Sequence, residues 1–342
     1  MPRTLSPLLR AALAALAVVG AAACSADRLA APSGGSSADP VTTVAPAGGD
    51  LANYTADHWV AKADMPTARR GLVTATVNGI IYAIGGRGTS ETNLRTVEAF
   101  NPSGNLLFKW STKTQLPAPR AWPSGAQTIN GKIYVVGGLN ADGDATRTLY
   151  VYNPATNTWA TKAQLPVASW AGGSGVINGK LYVVTPGATA SRLHRYDPAT
   201  NTWTARAQGP GGHYYAVVGV IGGKLYLAGT MNADESPSTQ VAMYDPATNS
   251  WTDRAALDGL QLGASGRVIG ERLYLVGGMS SLNGSAIPNL RVYNPATNAW
   301  VSKSYMQIPR TFLSAAASNG VLYAIGGLSG PNVLRTNEAY NP

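Results

Sequence analysis

The chain has 342 residues, with Gly 39 and Pro 22, 45% apolar and only 13% charged residues, a composition that suits an all-β protein with many tight turns. Its net charge of +9 comes from scattered Lys and Arg rather than basic runs, which favours anionic partners in general but argues against nucleic acid. The single cysteine, Cys24, excludes an intramolecular disulfide, so stability must come from apolar burial and sheet hydrogen bonds.

Residues 1–23 read as a signal peptide. Arg3 and Arg10 form its positive start, and the uncharged run Ala11 to Ala23 is 13 residues long, too short to span ~30 Å of hydrocarbon at ~1.5 Å per residue. Removal of this segment leaves 9 − 2 = +7. The run ends Ala21-Ala22-Ala23-Cys24, which resembles the lipobox of bacterial lipoproteins, where the cysteine is diacylated and becomes the mature N-terminus; Ala21 stands where Leu is usual. The alternative is cleavage at the same small residues, leaving a free thiol. Residues 24–55 are rich in Ala, Gly, Ser, Pro and Thr and read as the lipidated cysteine followed by a disordered tether. The expected location is the bacterial cell envelope, with the globular part 56–342 held to a membrane through the lipid.

From residue 56 onward the sequence repeats itself. Trp59, Trp110, Trp159, Trp203, Trp251 and Trp300 recur at intervals of 44 to 51 residues, and Tyr82, Tyr134, Tyr182, Tyr226, Tyr274 and Tyr323 follow the same rhythm. Each unit runs from small residues through Asn-Gly or a substitute, an apolar stretch with Tyr, Gly-Gly or a substitute, a variable loop, and Tyr-Asn-Pro-Ala-Thr-Asn-x-Trp, as in NGKIYVVGG (130–138) and YNPATNTW (152–159). Asn-Gly between apolar runs is a hairpin signal, because a type I′ turn needs positive φ at both positions. Stretches such as IYAIGG are apolar on both faces, as in a strand sandwiched between neighbouring sheets. The small residues before them (GGSG at 172–175, SAAAS at 314–318) suit strands crowded around an axis. Asp197 and Asp245 fall in the Pro-Ala-Thr-Asn turn and read as turn formers rather than catalytic carboxylates.

These residues and this spacing resemble the kelch repeat over about 58–342. The third and fourth units depart, with Thr185-Pro186 and Gly229-Thr230 in place of Gly-Gly. The resemblance implies an all-β, six-bladed β-propeller. The last unit stops at Tyr340-Asn341-Pro342 before its Trp-bearing strand, and the folded part begins with an orphan one, HWVAKADMP (58–66). Pairing the two closes the ring and removes exposed sheet edges; a monomer is expected.

In kelch proteins ligands meet the loop leading into each inner strand and the loop after Gly-Gly. The leading loops place Arg69, Arg120, Ser169, His213, Gln261 and Arg310 at equivalent positions, with Arg70, Trp122, Trp170, Tyr214, Tyr215 and Phe312 beside them. Arginine with aromatics is the composition of interaction hot spots, and it suits carboxylated sugars, which a guanidinium forks while a ring stacks. The competing reading of Arg69, Arg120 and Arg310 is that they bond backbone carbonyls at the blade tips. Arg87, directly after Gly-Gly, resembles the ligand-contacting arginine of some kelch substrate adaptors. The candidate ligand-binding set is therefore Arg69, Arg70, Arg87, Arg120, Trp122, Trp170, His213, Tyr214, Arg310 and Phe312.

Enzymatic readings have less support. Asp142 and Asp144 lack the carboxylate spacing of a calcium loop. The histidines, His58, His194 and His213, are too few and too scattered for the copper site of kelch oxidases, so no metal or cofactor is expected. The family includes a bacterial sialic acid mutarotase, which leaves a carbohydrate-active isomerase as the alternative, with Glu91, Asp142, Asp234 or Glu235 as candidate acids. The sequence thus points to a membrane-tethered binding module that recognises a protein or glycan through the loop face.

Overall fold

A computed structural model describes residues 56–342 apart from 105–108, 188, 212, 230 and 233. The chain divides into units 1–55 and 56–342; the expectations for the signal peptide, Cys24 and the tether lie outside the described residues.

The second unit is built from six antiparallel four-stranded sheets. Blade one holds β2 (Val73–Val77), β3 (Ile80–Ile84), β4 (Val97–Phe100) and β5 (Trp110–Thr112), from the axis outward. Blade two holds β6 (Ala126–Ile129), β7 (Lys132–Val136), β8 (Leu149–Asn153) and β9 (Thr158–Lys162); blade three holds β10 (Gly173–Ile177), β11 (Lys180–Thr185), β12 (Arg192–Asp197) and β13 (Thr202–Ala205). Blade four holds β14 (Val217–Ile221), β15 (Lys224–Ala228), β16 (Val241–Asp245) and β17 (Ser250–Arg254); blade five holds β18 (Ser265–Ile269), β19 (Arg272–Val276), β20 (Leu290–Asn294) and β21 (Ala299–Lys303). In blade six, β22 (Ser314–Ser318), β23 (Val321–Ser329) and β24 (Asn332–Asn341) are completed by β1 (His58–Lys62) from the other end of the chain. β1 pairs with β24 in the register Trp59 to Tyr340, which closes the ring as the repeat pattern expected.

The core lies between blades. Ile81 and Ala83 of β3 face blade six, while Tyr82 and Ile84 face blade two. Each second strand therefore feeds two interfaces, which is why it is apolar on both faces. The hairpins joining first and second strands carry Asn78-Gly79, Asn130-Gly131, Asn178-Gly179 and Asn319-Gly320, all at positive φ, as type I′ turns require. The Gly-Gly pair has a second reason to be glycine. Gly86 N donates to the Arg120 carbonyl of the next blade at 2.8 Å, and a Cβ on Gly85 would stand 2.4 Å from that same oxygen. Blades three and four, which lack the pair, keep all four strands.

The Tyr…Asn-x-Trp motif stitches each of blades two to five to the one before it. Tyr152 donates its hydroxyl to Asn157 Oδ1 at 2.5 Å, and that oxygen also accepts the backbone N–H of Thr114 in blade one. Trp159 Nε1 then donates to the Thr114 carbonyl at 2.9 Å, so one residue of the preceding blade is held at both backbone groups. Tyr196, Asn201 and Trp203 repeat this on Ala163, and Tyr244, Asn249 and Trp251 on Ala207.

Candidate functional site

Six leading loops converge at the start of the inner strands. Residues 71, 122, 171, 215, 263 and 312 occupy equivalent places there, all at positive φ. Backbone N–H groups link them around the axis: Trp122 donates to Gly71, Ala171 to Trp122, Tyr215 to Ala171, Phe312 to Gly263 and Gly71 to Phe312, at 2.6 to 2.8 Å. Small and large residues alternate in this ring, Gly71, Trp122, Ala171, Tyr215, Gly263, Phe312. The reason is steric. A Cβ on Gly71 would meet the Trp122 indole at 2.5 Å, and one on Gly263 would meet the Phe312 ring at 2.8 Å. The three large rings crowd the channel mouth, Phe312 lying 6.1 Å from Trp122 edge-on and 5.3 Å from Tyr215. Trp170 packs on Tyr214 and Tyr215 at 5.2 and 5.9 Å.

Beside this aromatic floor sits a charged cluster. Arg70 and Arg87 face each other across a two-bond backbone bridge, N–H to carbonyl in both directions. Arg70 Nη2 lies 2.5 Å from Glu91 Oε2, and Arg87 Nη1 lies 3.8 Å from the same oxygen. Arg87 also donates from Nε to Asn93 Oδ1 at 2.9 Å, and its guanidinium stands 5.1 Å from the Trp122 ring centre. Burial lowers the Arg87 pKa, with Glu91 opposing the shift and the Arg70 charge adding to it. Burial raises the Tyr215 hydroxyl pKa, against the pull of Arg70 and Arg87, which places that hydroxyl in the field of both. Two guanidinium groups thus share one carboxylate, and that carboxylate's side chain is 43% exposed. The cluster keeps a surplus positive charge at the mouth, enough to receive one anionic group.

Of the residues singled out in the sequence, Arg70, Arg87, Trp122, Trp170, Tyr214 and Phe312 come together here. Arg69, Arg120, Arg310 and His213 do not, and this corrects their placement. Arg69 and Arg310 are fully buried inside their blades. Arg69 Nη1 donates to the carbonyls of Gly85 and Thr96, and Nη2 pairs with Glu98 at 2.6 Å. Arg310 repeats this with Gly326, Thr336 and Glu338. Burial lowers both guanidinium pKa values to about 10, opposed by the partner glutamate. Arg120 lies under Tyr150, donating to its hydroxyl at 3.2 Å and to Thr148 Oγ1 at 3.0 Å. Arg69 and Arg310 thus tie together carbonyls at the ends of the second and third strands, a task for which a guanidinium supplies several donors at once.

His213 fills the equivalent space in blade four, fully buried, its two ring nitrogens without a partner in hydrogen-bonding geometry. Burial lowers its pKa below the ordinary 6.5, with the nearby Gln240 side chain opposing the shift. Because the folded value is the lower one, the unfolded chain binds more protons between the two values, and stability falls as pH drops below about 6.5. His194, depressed by burial and by Arg192, acts in the same direction. His213→Gln, which cannot become charged, is expected to lose less stability between pH 7.5 and pH 5 in urea unfolding; an unchanged pH dependence would remove His213 from this role.

The sequence left one member of the cluster unplaced. Glu91 stood among four candidate acids, and its four-residue spacing from Arg87 together with its positive φ of 56° marks it in the structure. Asp142 and Asp234 lie in exposed turns, Asp142 N–H donating to Asn140 Oδ1 and Asp234 accepting from Ser236. Among the described residues no three metal-ligating side chains come together.

A closed six-bladed propeller carrying its charged cluster on the loop face defines a repeat-scaffold protein, and comparison with known proteins names the repeat. The family model of the KLHDC2/KLHL20/DRC7 Kelch-repeats domain matches residues 34–208, and that of the Kelch motif matches 262–307 and 309–342. The chain belongs to the kelch-repeat family, and membership points to a protein-interaction module. An F-box/kelch-repeat protein of Arabidopsis thaliana is 34% identical over 30% of the chain, beta-scruin of Limulus polyphemus 31% over 32%, and kelch-like protein 24 of Rattus norvegicus 30% over 32%. The matched segments span only 26%, 12% and 16% of those relatives. The solved structure of YjhT shares the fold, with a TM-score of 0.70 over 81% of this chain and 95% of that one, at 18% identity.

Proposed function

We propose that this chain is an exported binding module of the bacterial envelope, tethered to a membrane by a lipid on Cys24, that captures a protein or glycan through a carboxylate at the loop face. The observation that carries the reading is the Arg70–Glu91–Arg87 cluster, two guanidinium groups on one carboxylate, beside the rings of Trp122, Tyr215 and Phe312. A carboxylated sugar or an acidic peptide side chain would pair with Arg87 while its apolar face lies on the rings. A tether of about 30 residues would let the loop face stand off the membrane.

The test is binding of the full chain to arrays of carboxylated and neutral glycans and of acidic and neutral peptides. Arg87→Ala is expected to weaken carboxylate-dependent capture by about 10- to 100-fold, the worth of one charge-assisted hydrogen bond. Equal capture by parent and variant would overturn the reading. The isomerase alternative rests on Glu91, an exposed carboxylate in reach of both arginines. Anomer interconversion of a sugar acid, followed by NMR and lost in Glu91→Gln while binding persists, would convert the binding site into an active site.

A further inference from the structure

Below the aromatic floor the central channel widens into a cavity of about 120 Å³. The inner strands that line it present small or neutral side chains at the position opposite the repeated Tyr: Ala75, Gln127, Gly175, Gly219 and Ala316. Blade five differs. Its residue there is Arg267, opposite Tyr274. The guanidinium passes the inner strand of blade six and donates from Nη2 to the Thr74 carbonyl in blade one. No carboxylate lines the cavity among the described residues, so this cation has no countercharge. Burial lowers its pKa to about 10, which leaves it protonated at neutral pH.

Two further donors on the same cavity wall are orphaned. Ser174 Oγ and Trp122 Nε1 are buried and have no hydrogen-bond partner. Folded proteins leave few buried polar side-chain atoms unpaired, and three donors around one cavity, one of them charged, call for an acceptor.

We propose that the channel binds a small monovalent anion, a halide or a carboxylate of one or two carbons, held by Arg267 with the Ser174 hydroxyl and the Trp122 indole N–H as neutral donors. One positive charge matches one negative charge. The cavity has room for roughly ten water-sized groups, at roughly 10–15 Å³ each, enough for an ion of a few atoms with its water. The site is separate from the mouth cluster and does not depend on the proposed function, although Trp122 contributes its ring to one and its N–H to the other.

The full chain, exchanged into sodium gluconate and titrated with sodium bromide or sodium formate at constant ionic strength, is expected to gain about 5 °C in Tm at a hundredfold excess over Kd. A gain with formate alone would select the carboxylate, and gains with both the wider class. Arg267→Gln should give no saturable rise, Arg267→Lys should keep part of it, and Ser174→Ala should shift the midpoint to higher concentration. Crystals grown in bromide should show an anomalous peak beside Arg267. An equal rise in Arg267→Gln, or no rise with either salt in the parent, would overturn the proposal; should Arg267→Gln fail to fold, the parent's response to the two salts and the lysine variant decide it.

Discussion

Arg69→Ala is expected to cost the propeller about 3–5 kcal/mol of unfolding free energy, because it strands a buried carboxylate. Glu98 would keep only the Thr67 hydroxyl, 2.7 Å away, as an acceptor's partner in a site that excludes water. The Gly85 carbonyl would lose its guanidinium donor in the same step, while the Thr96 carbonyl would keep the Gly85 N–H. Glu98→Leu alone should be costly too, since it leaves the guanidinium buried without its countercharge. The double variant Arg69→Met, Glu98→Leu removes both charges and fills their volume, so it should be more stable than either single variant. Urea unfolding of the four proteins gives a coupling expected at about 1–3 kcal/mol. Capture of ligand by whatever remains folded should be unchanged, since Arg69 has no surface at the mouth. An Arg69→Ala protein of full stability that had lost binding would return this residue to the ligand site.

The reason Arg69 could not be placed from the sequence is instructive. It is adjacent to Arg70 in one loop, yet the first side chain points into the blade and the second toward the mouth. What decides between them lies about thirty residues downstream, at the third strand. Arg69 meets Glu98, Arg120 meets Tyr150, Arg310 meets Glu338, and in blade five the polarity reverses, with Gln261 on the loop accepting from Arg291 on the strand at 2.9 Å. In blade four His213 lies opposite a strand carrying Ala242, a residue that offers it no polar partner. In blades one, two, five and six the leading-loop residue is thus matched to its own third strand, a pairing that aligned loops alone do not disclose. The blades themselves were readable because their determinants are local: Asn-Gly, Gly-Gly and Tyr-Asn-Pro-Ala-Thr-Asn-x-Trp each act within one hairpin or on the next blade. Arg267 left a readable mark as well, a lone arginine where other inner strands carry small residues, but its meaning depends on a channel that only the closed ring creates.

Closure of that ring rests on β1, and Trp59→Ala is expected to destabilise the domain by about 3–5 kcal/mol, a large share of a stability of about 5–15 kcal/mol. Trp59 is only 2% exposed, whereas Trp110, Trp159, Trp203, Trp251 and Trp300 are each part-exposed. Its ring packs 5.2 Å from Tyr340, and its Nε1 donates to the Ser304 carbonyl of blade five at 2.8 Å. Asp57, at positive φ, replaces the asparagine of the other stitches, accepting from Tyr340 Oη at 2.8 Å and from Ser304 N at 3.0 Å. The stitch that other blades make within one segment is here made between residues 283 apart in the chain. Nothing covalent holds those ends, so losing the ring contact frees β1 as a unit and bares the edge of β24. Trp59→Phe, which keeps most of the packing and loses the N–H, should recover much of the deficit. Trp203→Ala, the same change in an uninterrupted blade, should cost less and leave the protein soluble. Urea unfolding and light scattering measure both effects. If Trp59→Ala proves no worse than Trp203→Ala, and light scattering shows no association, the N-terminal strand is an ordinary outer strand and the ring is held closed by its inner strands.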